Sequence, residues 1–371
     1  MRVLHVEFGR HLYGGALQVA YLLRGLAEHP EVENEVVVPM ETPLPEAVPV
    51  RPGVRFHRIP IAGELDVRIL WRLKRLVRSQ QPDLIHIHSR RGADFWGVLL
   101  ARWSGIPYIV TRRVVYPEAR WLIRWRTRKA VAVVGISGRV CEMMGEAGVP
   151  AGKTHCILST VDTAVYRPGR EPDWFRAEMR LGTGDLAVGM IGQLIEGKGH
   201  RVLFEAIPAI LEACPEAVFL LFGKGHLGER LRSHVERQPW RERVRFMGFR
   251  TDMARVIPNL DLVVHPAFME GLGVSLLQAA ACAVPIVGSN AGGIPEIVKD
   301  GRNGYLIEPG DSKRLSESAI RLLREPALRT QMGENGRVLT EACFSIHRMA
   351  ADYARLYADC LHPPSRERQA T

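Results

Sequence analysis

Between Phe268 and Val298 the chain reads F-M-E-G-L-G-V-S-L-L-Q-A-A-A-C-A-V-P-I-V-G-S-N-A-G-G-I-P-E-I-V. A carboxylate, Glu270, and two glycines, Gly271 and Gly273, open a helix of small residues. Glycines let a ligand approach the backbone closely, and the free N–H groups at a helix start lie at the positive end of its dipole. Gly273, Val274 and Ser275 therefore form a seat for an anion. A phosphate alone would be repelled by a carboxylate at its side. A sugar joined to a phosphate would not, because its hydroxyls donate to the carboxylate, so the segment points to a nucleotide sugar.

Three further constellations could serve the same chemistry. Gly189-Met-Ile-Gly192-Gln193-Leu-Ile-Glu-Gly-Lys198-Gly199-His200 runs from a strand through a glycine turn and a lysine to a helix start, which suits a diphosphate. Its glycine-to-lysine spacing is not that of a Walker A loop, and without the Glu270 segment it would read as an ordinary turn with a surface lysine. Gly14-Gly15 follows the first strand, as a packing turn or as a loop that admits a ligand to the backbone. In Asp83-Leu-Ile-His86-Ile-His88, the two-residue period of a strand puts both histidines on one face, with His88 at the exposed C-terminal end. The pair needs a third ligand before zinc is in question. Gly223-Lys-Gly225 and Gly248-Phe249-Arg250 line a nucleotide pocket or are plain turns.

These residues need elements to place them. Short apolar runs alternate with helix-length segments: Val3 to Phe8, Gly15 to Glu28, Glu35 to Pro39, Leu84 to His88, Ala93 to Ser104, Tyr108 to Thr111, Val131 to Ile136 and Arg139 to Gly148. After residue 165 the rhythm restarts, with Ala187 to Ile191, Arg201 to Ala213, Val218 to Phe222, Val244 to Met247, Leu262 to His265 and Pro285 to Gly288. Strands alternating with helices predict parallel sheets covered on both faces, here an α/β chain of two doubly wound domains. A chain of 371 residues is long enough for two cores. The break falls between Ser159 and Gly169, and ligands of such sheets bind beyond the strand C-termini, in a cleft between facing domains. The tail from Pro363 to Thr371 reads as disordered.

Composition, with 46% hydrophobic and 24% charged residues, is that of an ordinary globular protein. The six cysteines show no metal or redox spacing and read as reduced thiols. The start has no signal-type pattern, and no run reaches the roughly 20 apolar residues of a membrane span, so a cytoplasmic address is expected. The net charge of +10 is concentrated in residues 51 to 150, with 19 Lys+Arg against 7 Asp+Glu. There Arg112, Arg113, Arg120, Arg124, Arg126, Arg128 and Lys129 surround Trp121 and Trp125, four apart on one helix face. An interfacial helix on the inner face of an anionic membrane has this pattern, and so does a solvated basic face whose tryptophans pack inward. No motif for nucleic acid accompanies the charge.

Over nearly its whole length, and most specifically from Glu270-Gly-Leu-Gly through Gly292-Gly-Ile-Pro-Glu296, the chain resembles the family-four retaining glycosyltransferases of the GT-B fold, bacterial and of cell-envelope type. The resemblance implies two Rossmann-like domains, residues 1–165 for the acceptor and 166–343 for the nucleotide sugar, with a helix in 344–362 crossing back to the first. It implies that Glu270 binds the donor sugar hydroxyls, Lys198 the diphosphate, and that His88 touches the sugar near its anomeric carbon. Gly14 and Gly15 would form the donor-side loop of the first domain, Gly271, Leu272, Gly273 and Val274 the seat in the second, and backbone groups around Phe249 would hold the base. Two positions depart from the family. Gln278 stands where a glutamate usually grips the ribose, and Gln193 where an arginine usually faces the diphosphate. Arg201, Arg250 and Arg90 are the candidates to replace that arginine.

The expected activity is transfer of a sugar, with retention, from a UDP- or GDP-type donor to a hydroxyl of a lipid or saccharide acceptor. No cofactor is implied. No Asp-x-Asp triplet is present, in keeping with a reaction that uses no metal. The glutamines leave open a nucleotide-sugar-binding protein without turnover. A nonhydrolysing epimerase of the same fold and a basic membrane-surface scaffold are the other readings.

Overall fold

In a computed structural model the chain is described throughout except for residues 13, 49–51, 64–65, 89–91, 116–117 and 363–371. The tail expected to be disordered lies outside the described residues. The chain forms two compact units, Met1–Thr160 with Ile346–Thr371, and Val161–Ser345.

Unit 1 runs β1 (Arg2–Val6), α1 (Gly14–Leu26), β2 (Glu33–Pro39), β3 (Val54–Ile59), α2 (Arg68–Gln80), β4 (Leu84–His88), α3 (Ala93–Ser104), β5 (Tyr108–Arg112), α4 (Arg120–Thr127), β6 (Ala132–Gly135), α5 (Gly138–Glu146) and β7 (Thr154–Cys156). Unit 2 continues with α6 (Pro172–Met179), β8 (Leu186–Ile191), α7 (His200–Ala213), β9 (Ala217–Phe222), α8 (Gly228–Glu236), β10 (Val244–Gly248), α9 (Met253–Val256), β11 (Leu262–His265), α10 (Val274–Ala281), β12 (Ile286–Ser289), α11 (Ile294–Ile297), β13 (Gly304–Ile307), α12 (Ser312–Arg324) and α13 (Pro326–Cys343). The last helix, α14 (Ile346–Leu361), returns to unit 1.

Each unit is one parallel sheet, ordered β3-β2-β1-β4-β5-β6-β7 and β10-β9-β8-β11-β12-β13. Strands such as Ala217–Phe222, apolar at every position and buried throughout, are what a sheet covered on both faces requires. One face of the first sheet packs Leu4, Val6, Ile85, Ile87 and Val110 against α2, α3 and α4. The other packs Val3, Leu84, Ile109 and Val134 against α1 and α14, where Tyr353 and Tyr357 are fully covered. In the second sheet Val188, Phe219, Leu221 and Val264 meet α7 and α12. The two orders share a feature that decides where chemistry can sit. Between β1 and β4, and again between β8 and β11, the chain reverses its direction of winding, the point at which sheets of this kind bind ligands.

Cys214, Cys282, Cys343 and Cys360 are free thiols. Among the described residues no helix is long and apolar enough to cross a membrane.

Candidate active site

The switch point of unit 2 brings together two segments 72 residues apart. Lys198 ends the turn after β8, and its Nζ donates to Glu270 Oε2 at 2.5 Å. His265, the last residue of β11, places its Nε2 2.9 Å from the same oxygen, and the backbone N–H of Gly271 donates to Oε1 at 3.2 Å. Burial alone would raise the pKa of Glu270. The hydrogen bond from His265 and the charge of Lys198 outweigh it and hold the carboxyl at about 2, so it is an anion at any physiological pH.

Glycines set this geometry by letting backbones touch. A Cβ on Gly292, whose φ is +57°, would stand 1.8 Å from the Glu270 carbonyl oxygen, and one on Gly199, with φ +75°, would stand 1.8 Å from that of Pro266. Gly293 N–H donates to the Glu270 carbonyl, and Phe268 N–H to that of Gly197. The Lys198 turn, the Glu270 loop and the Gly292-Gly293 turn are thus stitched into one piece. Gly273, with φ +101°, caps α10, and Ser275 Oγ donates to the Ile191 carbonyl at 3.2 Å, tying the helix start to the end of β8.

The other expected residues of unit 2 lie on α10, on the loop before it and on the turns after β8 and β10. Gly271 and Val274 are partly covered and Leu272 is buried. Gln193 is exposed on the turn that Lys198 ends, and Gln278 lies on α10, one turn beyond Val274. Phe249, past β10, is 48% exposed with the Lys224 ammonium 5.9 Å from its ring centroid. Of the arginines considered as replacements for the cation absent at Gln193, Arg250 is committed to Asp252 and Glu178, Arg201 is exposed on α7, and Arg90 lies outside the described residues.

In unit 1 the structure corrects one expectation. His88 does end β4, but its ring is 0% exposed rather than open to solvent. Its neighbours explain the burial: His5 from β1 and His86 pack on it, and α14 covers the same face of the sheet. His86 is held by Tyr357 Oη at Nδ1 and by Thr111 Oγ1 at Nε2, both at 2.7 Å. Burial, then the charge of nearby groups including Arg113, pushes His86 and His88 well below the usual histidine range. His5 is the third imidazole that zinc would need, and among the described residues these three form a group with ligand atoms within 4.8 Å. Gly14 and Gly15 open α1. Among the described residues nothing lies within 4 Å of a Cβ on Gly14, so their packing does not require a glycine there, whereas a Cβ on Gly15 would meet only Arg113 Cδ, at 3.7 Å.

Sequence reasoning missed His265, His200 and His5. The first two flank the Lys198–Glu270 pair, and burial with the charges of His265 and Lys198 lowers His200 to about 4. Position at the C-terminal end of a switch-point strand was the available signal for His265.

Residues 13–165 match the family model described as Glycosyltransferase Family 4, and residues 174–339 that of Glycosyl transferases group 1. The chain belongs to glycosyltransferase family four. The family's GT-B fold is shared with Anabaena Alr3699/HepE, a structure solved with UDP and glucose, at a TM-score of 0.81 and 21% identity over 96% of this chain and 99% of that one. Among curated relatives, the alpha-D-kanosaminyltransferase of Streptomyces kanamyceticus is 25% identical over 78% of this chain and 81% of its own. The N-acetyl-alpha-D-glucosaminyl L-malate synthase of Bacillus anthracis is 24% identical over 84% and 86%. In this family-four chain the segment most specific to the resemblance, from Glu270 to Glu296, is the one whose glycines bring the Glu270 loop and the Gly292-Gly293 turn into contact.

Proposed function

We propose that the chain moves a sugar from a nucleotide diphosphate to a hydroxyl acceptor, with retention at the anomeric carbon. The observation that carries this reading is the Lys198–Glu270 contact beside the capped start of α10. Glu270, anionic and fixed on one oxygen by two donors, accepts the sugar hydroxyls. Lys198 and the amides of Gly273, Val274 and Ser275 take the diphosphate, with the ribose at Gln278, the base at Phe249, and His88, Gly14 and Gly15 on the sugar side. Because Glu270 is engaged with hydroxyls, no protein nucleophile attacks the anomeric carbon. The bond to the diphosphate breaks as the acceptor oxygen bonds the same face, and the acceptor proton passes to the departing phosphate oxygen. Developing charge on that phosphate is met by Lys198 and the helix start. The reading needs no metal ion, and transfer should survive chelation.

For the acceptor we favour a cell-envelope lipid or lipid-linked saccharide, reached from the inner membrane face. Trp121 is 70% exposed on α4 among the exposed Arg120, Arg124 and Arg128. Trp125, by contrast, packs on Phe95 and under Arg102, and Arg112 and Arg126 are paired with Glu118. The basic face is therefore narrower than the sequence implies, but it keeps an aromatic anchor. Vesicles of anionic lipid should bind the chain at low salt and lose it with Trp121→Ser; failure to bind counts against the lipid and favours a small soluble acceptor.

Screening UDP- and GDP-sugars for thermal stabilisation tests the donor, since a ligand at 100 times its dissociation constant adds about 2.7 kcal/mol. Sugar transfer by the donor so identified supports the proposal. Tight binding with no turnover supports the alternative, a binding protein, which Gln193 and Gln278 favour.

A further inference from the structure

Unit 1 contains a buried chain of hydrogen bonds whose proton positions follow from one amide. Asn34, on β2, donates from Nδ2 to the carbonyls of Val32 (3.2 Å) and Gly53 (3.3 Å), so its Oδ1 faces the other way, 3.0 Å from His5 Nε2. An amide oxygen only accepts, hence His5 Nε2 carries a proton. His5 is buried, which lowers it to about 4 against the opposing bond to Asn34, and being neutral it leaves Nδ1 bare. That nitrogen lies 3.0 Å from His88 Nε2, which must then be the donor. The two ring planes differ by 9° with centroids 5.3 Å apart, as an edge-to-edge bond in the ring plane requires. His88 is neutral too, so its second nitrogen, Nδ1, is a bare lone pair. It is buried and, among the described residues, has no hydrogen-bond partner. The other five ring nitrogens of His5, His86 and His88 are all matched.

We propose that Asn34 and His5 are positioning residues that lock His88 in the tautomer protonated at Nε2, so that its Nδ1 accepts a hydroxyl of the bound sugar. This rests on the reading above that His88 meets the ligand. It adds a constraint on that ligand: the group at His88 must be a hydrogen-bond donor, because a carboxylate or phosphate oxygen would set lone pair against lone pair. It also explains why three imidazoles share one face of the sheet without a carboxylate among them. Two of them serve the third or are satisfied by α14 and β5, and only His88 is left with a valence to offer.

The test is a two-bond 1H–15N correlation spectrum of the full chain labelled at histidine, which separates bare from protonated ring nitrogens, with His88→Gln and His5→Leu used for assignment. Expected are Nδ1 bare and Nε2 protonated on both His5 and His88, and a shift of the His88 Nδ1 resonance at saturating donor sugar. His5→Asn, whose amide oxygen restores an acceptor near the lost Nδ1, should preserve the His88 tautomer. His5→Leu and Asn34→Leu should mix it and lower kcat/KM by on the order of tenfold, as loss of a partner that orients a functional histidine does. A His88 protonated at Nδ1, or equal effects of His5→Asn and His5→Leu, overturns the relay. So does zinc added alone, if it displaces both histidine protons at stoichiometric concentration, for the cluster is then a metal site. Donor binding is read separately by thermal shift, so a chain that keeps the tautomer but binds no nucleotide sugar refutes the hydroxyl contact and the glycosyl-transfer reading while the proton positions stand.

Discussion

At the switch point of unit 2 the converging groups are ionised and mostly, though not wholly, covered, Lys198 and Glu270 having 16% of each side chain exposed. At that of unit 1 the converging histidines are neutral and buried, and hydrogen bonds through Asn34, Thr111 and Tyr357 hold His5 and His86 in place of ion pairs. The same topology therefore supports two kinds of site. An ion pair that keeps an exposed edge can exchange partners with a charged ligand, because each ion retains some access to water. Buried imidazoles cannot ionise cheaply, so what they offer is direction, a single lone pair aimed by its neighbours. A region held by charge and a region held by direction should fail differently when perturbed.

The largest expected effect is on Lys198. Lys198→Ala should reduce transfer by on the order of 10³-fold, the scale of losing a group that stabilises developing charge, while circular dichroism shows an intact fold. Near-normal turnover would remove the charged site from the chemistry. Next comes the backbone contact that unit 2 depends on. Gly292→Ala forces a Cβ to 1.8 Å from the Glu270 carbonyl at a positive φ and should cost on the order of 3 kcal/mol in denaturant unfolding. Gly14→Ala in unit 1, with open space around it, should cost nothing in stability, so any loss of donor binding there reports ligand approach instead of packing.

Acid separates the regions further. His5 folds with a pKa of about 4 against an ordinary 6.5, so below pH 6.5 the unfolded chain takes up the proton first and stability falls until about pH 4. His86 and His88 shift in the same direction. In unit 2 His200 does so, to about 4, whereas Glu270 contributes stability above 4.5 that is lost as pH drops toward 2. Hydrogen exchange at pH 5, corrected for intrinsic rate, should show β1, β4 and α14 losing more protection than β8 and β11; equal losses would erase the distinction. The smallest effect is a gain: Gln278→Glu restores a charged acceptor worth about 1 kcal/mol, so donor affinity should rise about fivefold in calorimetry.

Much of this was legible in the sequence because each piece announced itself locally. Strands buried on both faces read as apolar runs, and Glu270 and Lys198 each follow such a run; the sheet order, with β8 beside β11, then does the joining. β3 and α2 escaped notice for the opposite reason. Val54–Ile59 is V-R-F-H-R-I, an edge strand interrupted by Arg55 and Arg58, and α2 buries Ile69, Leu73 and Val77 and half-buries Leu70 and Leu76 among basic residues. The histidine relay was hidden for want of any local mark. Its bonds join residues 83 and 29 apart, and the cover over His86 comes from Tyr357, 271 residues away. An exposed strand end at His88 was a fair inference from position within β4 alone, and it failed because α14 returns to cover that face.

The central claim is that Glu270 reads the sugar while Lys198 and the start of α10 read the diphosphate. Calorimetric titration of the wild-type chain and Glu270→Ala, each with the donor nucleotide sugar and with the matching free nucleoside diphosphate, tests it most directly. The account predicts that Glu270→Ala loses the affinity the sugar adds and binds the free diphosphate about as well as the wild type. Equal losses for both ligands, or none for either, would contradict it.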